Sequence, residues 1–282
     1  MSAYITTPKQ RRKFWSWGYE GRDIPQSEID SMHERVAKRL GMSDFTILKD
    51  PTLDEIELRA PRIKPPASLA IFCTSEKWDR VAHTYGKSFR DLAMIYKRRY
   101  PNPPDIVAYP RHEKDISAVL DWCSENGYAA VPFGGGSSVT GGINPPDDSH
   151  YKGLVTIDLE NLNQVLEVDP ISRAARIQGG TFGPSLEAQL KPHGFTLRHI
   201  PQSWEFSTLG GWIATRSSGH YATQLTHIDD MVESLRVVTP TVPLRTVGCR
   251  GLAPVQIPTV CSLALKARSG SLLKHGCVCR EE

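Results

Sequence analysis

The sequence predicts an α+β fold preceded by a mainly helical region, and three observations predict it. Strand-like and helical patterns alternate from about residue 101 onward. Five glycines fall within nine residues directly after an apolar strand, in the run from Gly134 to Gly142. The first hundred residues carry helical spacing and proline punctuation instead of alternation. At 282 residues the chain can bury the core of one large domain or two small ones. Its texture divides it into residues 1–100, helical and irregular; 101–240, the α+β domain; and 241–282, a tail of different composition.

In the first part, Ser27 or Asp30 is placed to cap a helix running through Leu40. Ile29, Met32, Val36 and Leu40 lie close to helical spacing, and Gly41 supplies the stop. Residues 51–66 are broken by prolines and read as a linker, and a second helical pattern covers 81–96. From Pro101 the sequence predicts a short extended segment at 105–108, then an amphipathic helix over 113–125. Ile116, Val119, Leu120 and Cys123 share one face of that helix, and Gly127 suits a left-handed cap. Residues 129–133 read as a buried strand that runs straight into the glycines. Further strands are predicted at 154–159, 165–168 and 174–178, the last two joined by a turn at Asp169-Pro170. Thr181 is placed to cap a helix over 184–190, with Pro184 at a tolerated early position.

Composition narrows the function classes. Hydrophobic residues make up 39% and the mean hydropathy is −0.35, values of a soluble globular chain. No run approaches the roughly 18 apolar residues of a membrane span. The polar opening (Ser2, Lys9, Arg11, Arg12, Lys13) has no apolar stretch behind it, so neither a transmembrane segment nor a secretory signal is expected, and a cytoplasmic location follows. The net charge is only +3. The basic clusters at Arg11–Lys13 and Lys97–Arg99 are short and interrupted by acids, which reads as solvated helix faces and predicts no nucleic-acid partner. Cys73 and Cys123 stand alone in the first 240 residues, whereas Cys249, Cys261, Cys277 and Cys279 crowd the tail. His275 with Cys277 and Cys279 forms one cluster without a second pair, so no metal site is expected.

The glycine loop carries the chemistry. Glycine lacks Cβ, so the backbone can take positive φ and approach a ligand closely. Successive N–H groups then form a concave donor nest for phosphate oxygens, with Ser137 and Ser138 adding hydroxyls. The pattern is not the dinucleotide fingerprint, which opens a helix within G-x-G-x-x-G, and no Lys follows the glycines as in a Walker A loop. An ATPase or GTPase is therefore not expected. A ligand-free glycine-rich turn is the structural alternative; the apolar strand before the loop and the absence of charge within it favour pyrophosphate.

The run Val131-Pro132-Phe133-Gly134-Gly135-Gly136-Ser137-Ser138-Val139 resembles the pyrophosphate loop of the vanillyl-alcohol-oxidase (PCMH) type of FAD-binding domain. Pro104-Asp105-Ile106-Val107-Ala108-Tyr109-Pro110 resembles that family's opening strand. Gln202-Ser203-Trp204-Glu205-Phe206-Ser207-Thr208-Leu209-Gly210-Gly211-Trp212 resembles its second flavin-contact segment, and Ala214-Thr215-Arg216-Ser217-Ser218-Gly219 and Ile228-Asp229-Asp230 follow in order. Trp15-Ser16-Trp17-Gly18-Tyr19, and Asp79-Arg80-Val81 with Gly86, are similar to the alkyldihydroxyacetonephosphate-synthase branch and its bacterial FAD-linked oxidase cousins.

The resemblance, spanning about residues 14–240, implies a PCMH-type domain of two α/β subdomains with FAD as cofactor and a small-molecule substrate; it allows a homodimer. It implies FAD contacts at Pro132, Phe133, Gly134, Gly135, Gly136, Ser137 and Ser138, at Gln202, Ser203, Trp204, Glu205, Phe206, Ser207 and Thr208, and at Ala214, Thr215, Arg216 and Ser217. Arg216 faces either the cofactor or an ordinary salt bridge. Many relatives attach FAD through a His in or near the loop; here that stretch offers only serines, which implies non-covalent binding. His193, His199, His220 and His227 are expected to be structural or surface residues.

The pattern breaks near residues 241–244. The family's Glu-Gly-Thr-Leu-Gly motif and substrate-binding cap domain are not matched, so no catalytic residue is assigned. Residues 241–280 hold no Asp or Glu, which predicts an aberrant, disordered tail from a reading-frame change near Val242. Three readings stand: a synthase-like flavoprotein fragment exchanging an acyl for an alkyl group on a glycerone phosphate, an FAD-dependent 2-hydroxy-acid oxidoreductase, and a non-catalytic nucleotide-binding protein.

Overall fold

Two sheets of different construction carry the chain in a computed structural model. It describes residues 11–42, 46–146, 150–220 and 227–240, together with the backbone of strands at 244–247, 261–267 and 273–274. In chain order the elements are α1 (Gln26–Leu40), β1 (Cys73–Thr74), α2 (Lys77–Ala82), α3 (Phe89–Tyr96), β2 (Ile106–Ala108), α4 (Glu113–Asn126), β3 (Tyr128–Phe133) and β4 (Gly153–Asp158). There follow β5 (Val165–Asp169), β6 (Ala174–Gln178), α5 (Gly183–Leu190), β7 (Phe195–Thr196), α6 (Leu209–Ala214), α7 (Ile228–Met231), β8 (Val232–Val238), β9 (Leu244–Val247), β10 (Cys261–Ala267) and β11 (Leu273–Lys274).

The first sheet has the order β1-β2-β4-β3, with β4 parallel to both β2 and β3 and β1 antiparallel at the edge. Every residue of β4 is buried, as a central strand of a parallel sheet requires. The crossover helix α4 packs Ile116, Val119, Leu120 and Cys123 against this sheet, the face its spacing predicts. Gly127 ends it in the left-handed region (φ 70°), its N–H bonding the Cys123 carbonyl. The second sheet is antiparallel, in the order β5-β6-β10-β8-β9. Ile177, Leu235 and Val237 from its strands meet Leu186 and Leu190 of α5 and Trp212 of α6 in a separate core. The two sheets are clamped where Arg236 of β8 donates through Nε to both carboxylate oxygens of Glu113 on α4, each at 2.8 Å, and Val238 of the same strand is buried in the first sheet's core.

The first hundred residues differ from their sequence reading in three places. Helix α1 begins behind Pro25, so Ser27 and Asp30 lie inside its first turns and neither caps it; Asp30 accepts instead from the Gln26 side chain at 2.8 Å. The pattern over 81–96 is two helices. Gly86 interrupts it, packed so tightly under the Ser138 carbonyl that a Cβ would overlap it, and Ser88 then opens α3 with a capping box to Asp91. The proline-rich stretch 51–66 forms no helix or strand, yet it is packed. Ile56 and Ile63 are buried, and Arg59 and Arg62 converge on Asp105. Further on, Thr181 does not cap α5: its hydroxyl donates to the Gln178 carbonyl at 2.8 Å, and Phe182 takes the cap position.

The sequence reading of 241–282 as an aberrant tail falls mostly outside the described residues, including the His275, Cys277 and Cys279 cluster. The backbone of β10 pairs with β6 and β8, that of β9 with β8, and that of β11 with β7.

Candidate functional site

Strands β3 and β4 end side by side, with Phe133 opposite Asp158, and both carboxyl ends open on one cleft of about 360 Å³. This is where parallel sheets place their ligands, because strand ends there give way to loops free to take any shape. The glycine loop leaves β3 along the cleft wall, contributing Gly135, Gly136 and Ser137. Among the described residues, none accepts a hydrogen bond from the backbone N–H of these three. They form a row of open donors at a strand end.

Two of the glycines are required by geometry. At Gly135 a Cβ would overlap the Phe206 carbonyl oxygen, so only glycine lets the two segments close together. Gly136 has φ +72°, and its Cβ would lie 2.7 Å from the Phe133 ring. The loop's other hydroxyl, that of Ser138, accepts from the amides of Gly142 at 3.1 Å and Thr140 at 3.4 Å, and thus shapes the loop from within. The Ser138 carbonyl accepts from the Lys87 amide at 2.6 Å.

The fold thus brings residues 132–138 and 202–208 into contact, though only part of each faces the cleft. Phe133, Gly135, Gly136, Ser137 and Phe206 line it. Pro132 lies within β3, and Gly134 packs on Thr208, whose hydroxyl caps α6 by accepting from Gly211 N at 3.4 Å. Ser203 and Ser207 belong to an internal chain, in which the Ser207 hydroxyl donates to the Ser203 carbonyl and accepts from the Trp212 indole, both at 2.7 Å. Trp204 packs over Gly183, and Gln202 and Glu205 are exposed. Ala214, Thr215 and Arg216 are exposed at the far end of α6. Arg216 takes the salt-bridge alternative, donating to Asp229 at 2.7 Å. Ser217 contacts His199, 2.7 Å from the ring Nε2, and the buried His199 packs on Trp212.

Several cleft residues were given no site role by the sequence. Arg11 to Arg22 form a strap closed by a bridge between Arg12 and Tyr19, and it brings Arg11, Arg12, Ser16, Trp17 and Gly18 to the cleft. Trp17 and Tyr19 rest against Phe206 at ring distances of 5.7 and 5.3 Å. The resemblance singled out Trp15 to Tyr19 but gave them no place. Lys87, also on the wall, donates to the carbonyls of Phe14 at 3.0 Å and Lys13 at 3.3 Å. Burial lowers its ammonium to about 8, the nearby Arg12 pushes the same way, and Asp91 opposes. His83 lies buried beneath, its Nε2 2.8 Å from Asp158 and its Nδ1 2.7 Å from the Asp79 carbonyl. Tyr109 donates to the Asp79 carboxylate at 2.5 Å, and burial followed by that bond pushes its phenol well above the ordinary range. His83 and Asp158 are 75 residues apart, so no local pattern could have paired them.

An open amide row, flanking cations and an aromatic strap form a cradle suited to a dinucleotide's pyrophosphate, and FAD fits these residues. The chain belongs to the FAD binding domain family, whose profile matches residues 104–248. It is similar to alkyldihydroxyacetonephosphate synthase of Dictyostelium discoideum, with 41% identity over 166 residues, 59% of this chain and 27% of the relative. It is also similar to the mitochondrial cytochrome D-lactate dehydrogenase of Arabidopsis thaliana, with 32% identity covering 78% of this chain and 33% of the relative. A solved alkyldihydroxyacetonephosphate synthase superposes with a TM-score of 0.76 at 28% identity, covering 93% of this chain and 54% of that one. The chain therefore spans about a third or less of these curated relatives. Its cofactor is FAD, and its relatives are enzymes. Among the described residues no helix is long and apolar enough to cross a membrane.

Proposed function

We propose that the chain holds FAD non-covalently in this cleft, with the pyrophosphate on the amides of Gly135, Gly136 and Ser137. One observation carries the reading: three consecutive residues after β3 whose backbone N–H groups have no acceptor among the described residues line a cleft with Arg11, Arg12 and Lys87 on its walls. Pro132, Phe133, Gly134 and Ser138 hold the loop in shape. Gln202, Ser203, Trp204, Glu205, Phe206, Ser207 and Thr208 border the cofactor through Phe206 and the backbone behind it. Ala214, Thr215, Arg216 and Ser217 lie further along α6, open to its remaining parts. FAD when bound supplies electron-transfer chemistry at its isoalloxazine. The chain's own residues supply binding, orientation and exclusion of water, the last through the strap.

For the reaction class we favour that of alkyldihydroxyacetonephosphate synthase, on the 93% coverage of this chain by the solved structure. A 2-hydroxy-acid oxidoreductase is the second reading, supported by the 220-residue match to the D-lactate dehydrogenase. In either case a small-molecule substrate and pairing with a second copy belong to the proposal. The acid-free composition of residues 241–280 further supports a reading-frame change near Val242, and an in-frame native gene through Glu282 would overturn that reading.

Purified protein should show the visible bands of oxidised flavin and release them to the supernatant on acid precipitation. A folded, colourless protein that takes up no added FAD would overturn the cofactor reading, and flavin retained in the pellet would overturn non-covalent binding. Bleaching by a D-2-hydroxy acid under anaerobic conditions would favour the second reaction class over the first.

A further inference from the structure

The cleft floor holds a buried pair, His83 and Asp158, that the cofactor reading leaves without a task. The two are 3% and 1% exposed, and both reach the cleft. His83 closes the C-terminal end of α2, where its Nδ1 lies 2.7 Å from the Asp79 carbonyl oxygen. A carbonyl can only accept, so Nδ1 carries a proton. The other nitrogen, Nε2, lies 2.8 Å from Asp158 Oδ2, and a bare lone pair would repel a carboxylate at that distance. A proton is therefore held between these two atoms as well. Asp158 is itself fixed, because its Oδ1 accepts from the Glu160 amide at 2.8 Å. The imidazole is thus gripped at both nitrogens and cannot turn without breaking a hydrogen bond.

What the gripped ring touches leads back to the glycine loop. Its centroid is 4.3 Å from that of Phe133, the residue opposite Asp158 in the β3–β4 register. The Phe133 ring packs in turn against Gly136, so closely that a Cβ there would come within 2.7 Å of it. Gly136 has the left-handed φ of +72° and supplies the middle amide of the row at residues 135–137. Contacts therefore run from Asp158 through His83 and Phe133 to Gly136, and all four residues are buried.

We propose that His83 is a positioning residue for the FAD pyrophosphate, held by Asp158 so that Phe133 sets the place of the Gly136 amide. It acts through the orientation of its ring, not through its charge. The inference rests on the cofactor reading above and adds the residues that keep the amide row in place.

The full chain, stripped of flavin and titrated with FAD, provides the test, with phosphorus NMR of the bound diphosphate as a second readout. Asp158→Ala frees one end of the imidazole and should weaken FAD binding about tenfold, the loss of one hydrogen bond to a charged group. The diphosphate resonances at saturating FAD should move with it. Asp158→Asn is the decisive variant. Its amide oxygen can accept from Glu160 and its NH2 can donate to Nε2 of a neutral His83, so the ring stays gripped without the ionic pair. Affinity should return to within about twofold of the wild type, and the phosphorus resonances should return with it. Phe133→Leu cuts the same path without stranding a buried charge, and it should repeat the Asp158→Ala effect with circular dichroism unchanged.

An Asp158→Asn protein as weak as Asp158→Ala would assign the effect to charge and overturn the positioning role. A folded Asp158→Ala or Phe133→Leu protein that binds FAD as the wild type does would overturn it too. Should Asp158→Ala not fold, Phe133→Leu decides. A wild-type protein that takes up no FAD overturns the cofactor reading and this role together, whereas indifferent variants of an FAD-binding wild type overturn this role alone.

Discussion

Gly135 shows how one residue joins two distant segments. Its missing Cβ is the space occupied by the Phe206 carbonyl, so Gly135→Ala must push residues 202–208 away from the loop. The expected outcome is loss of most bound flavin with secondary structure retained, read as the ratio of flavin to protein absorbance; an unchanged ratio would count against the cradle. Asp105 is a second such residue. Its burial alone would raise its pKa, but hydrogen bonds from Arg62, Arg59 and the amides of Arg62 and Leu154 overcome that and hold it at about 2. The folded value lies below the unfolded one of about 3.9, so its contribution is complete above pH ~4 and is lost as pH falls toward 2. Asp105→Asn should cost about 3 kcal/mol at neutral pH in urea unfolding, since it leaves two arginines without their carboxylate. Part of the acid sensitivity between pH 4 and 2 should vanish with it. Lys87 has a pH slope of the same sign but differs in that its shift disfavours its charged form, a cost at neutral pH. Its folded value of about 8 lies below the unfolded ~10.4, so stability rises as pH climbs between the two. An anionic ligand favours the charged form, so FAD affinity should fall above pH 8, and titration of Lys87→Met should show weaker binding without that step.

At the scale of elements, α4 was readable from sequence because its stability comes from a periodic apolar face and a glycine stop, both local signals. Ile116, wholly buried there, should cost about 3 kcal/mol when cut to Ala, measured by denaturant unfolding. The pair α2 and α3 was read as one helix because the apolar spacing runs on across the break. In the break between them Gly86 packs under Ser138, a contact 52 residues away that leaves no periodic trace. The strap shows the same limit. Its Trp and Tyr were visible, but the partner ring of Phe206 lies far along the chain. If the strap closes the cleft, Phe206→Ala should speed FAD release several-fold in stopped-flow displacement while leaving thermal unfolding nearly unchanged.

Over the whole molecule, two sheets with separate cores meet through the Glu113–Arg236 clamp and along the cleft. The clamp is half-buried and bidentate, so Arg236→Ala should cost about 1 kcal/mol, and calorimetry should show a broader transition as the halves uncouple. By itself the sequence determined the α+β class, the strands and helices of residues 101–190 nearly to their ends, and the place of the glycine loop directly after a buried strand. Each of these rests on neighbours a few residues apart, where period and turn chemistry are legible. Only the tertiary structure decided which residues share the cleft. It set His83 on Asp158, Lys87 beneath the strap and Arg216 on Asp229, and it turned most of residues 202–208 into the backing of the glycine loop. Such contacts join positions tens of residues apart, and they are fixed by how the cores pack, which no local pattern encodes.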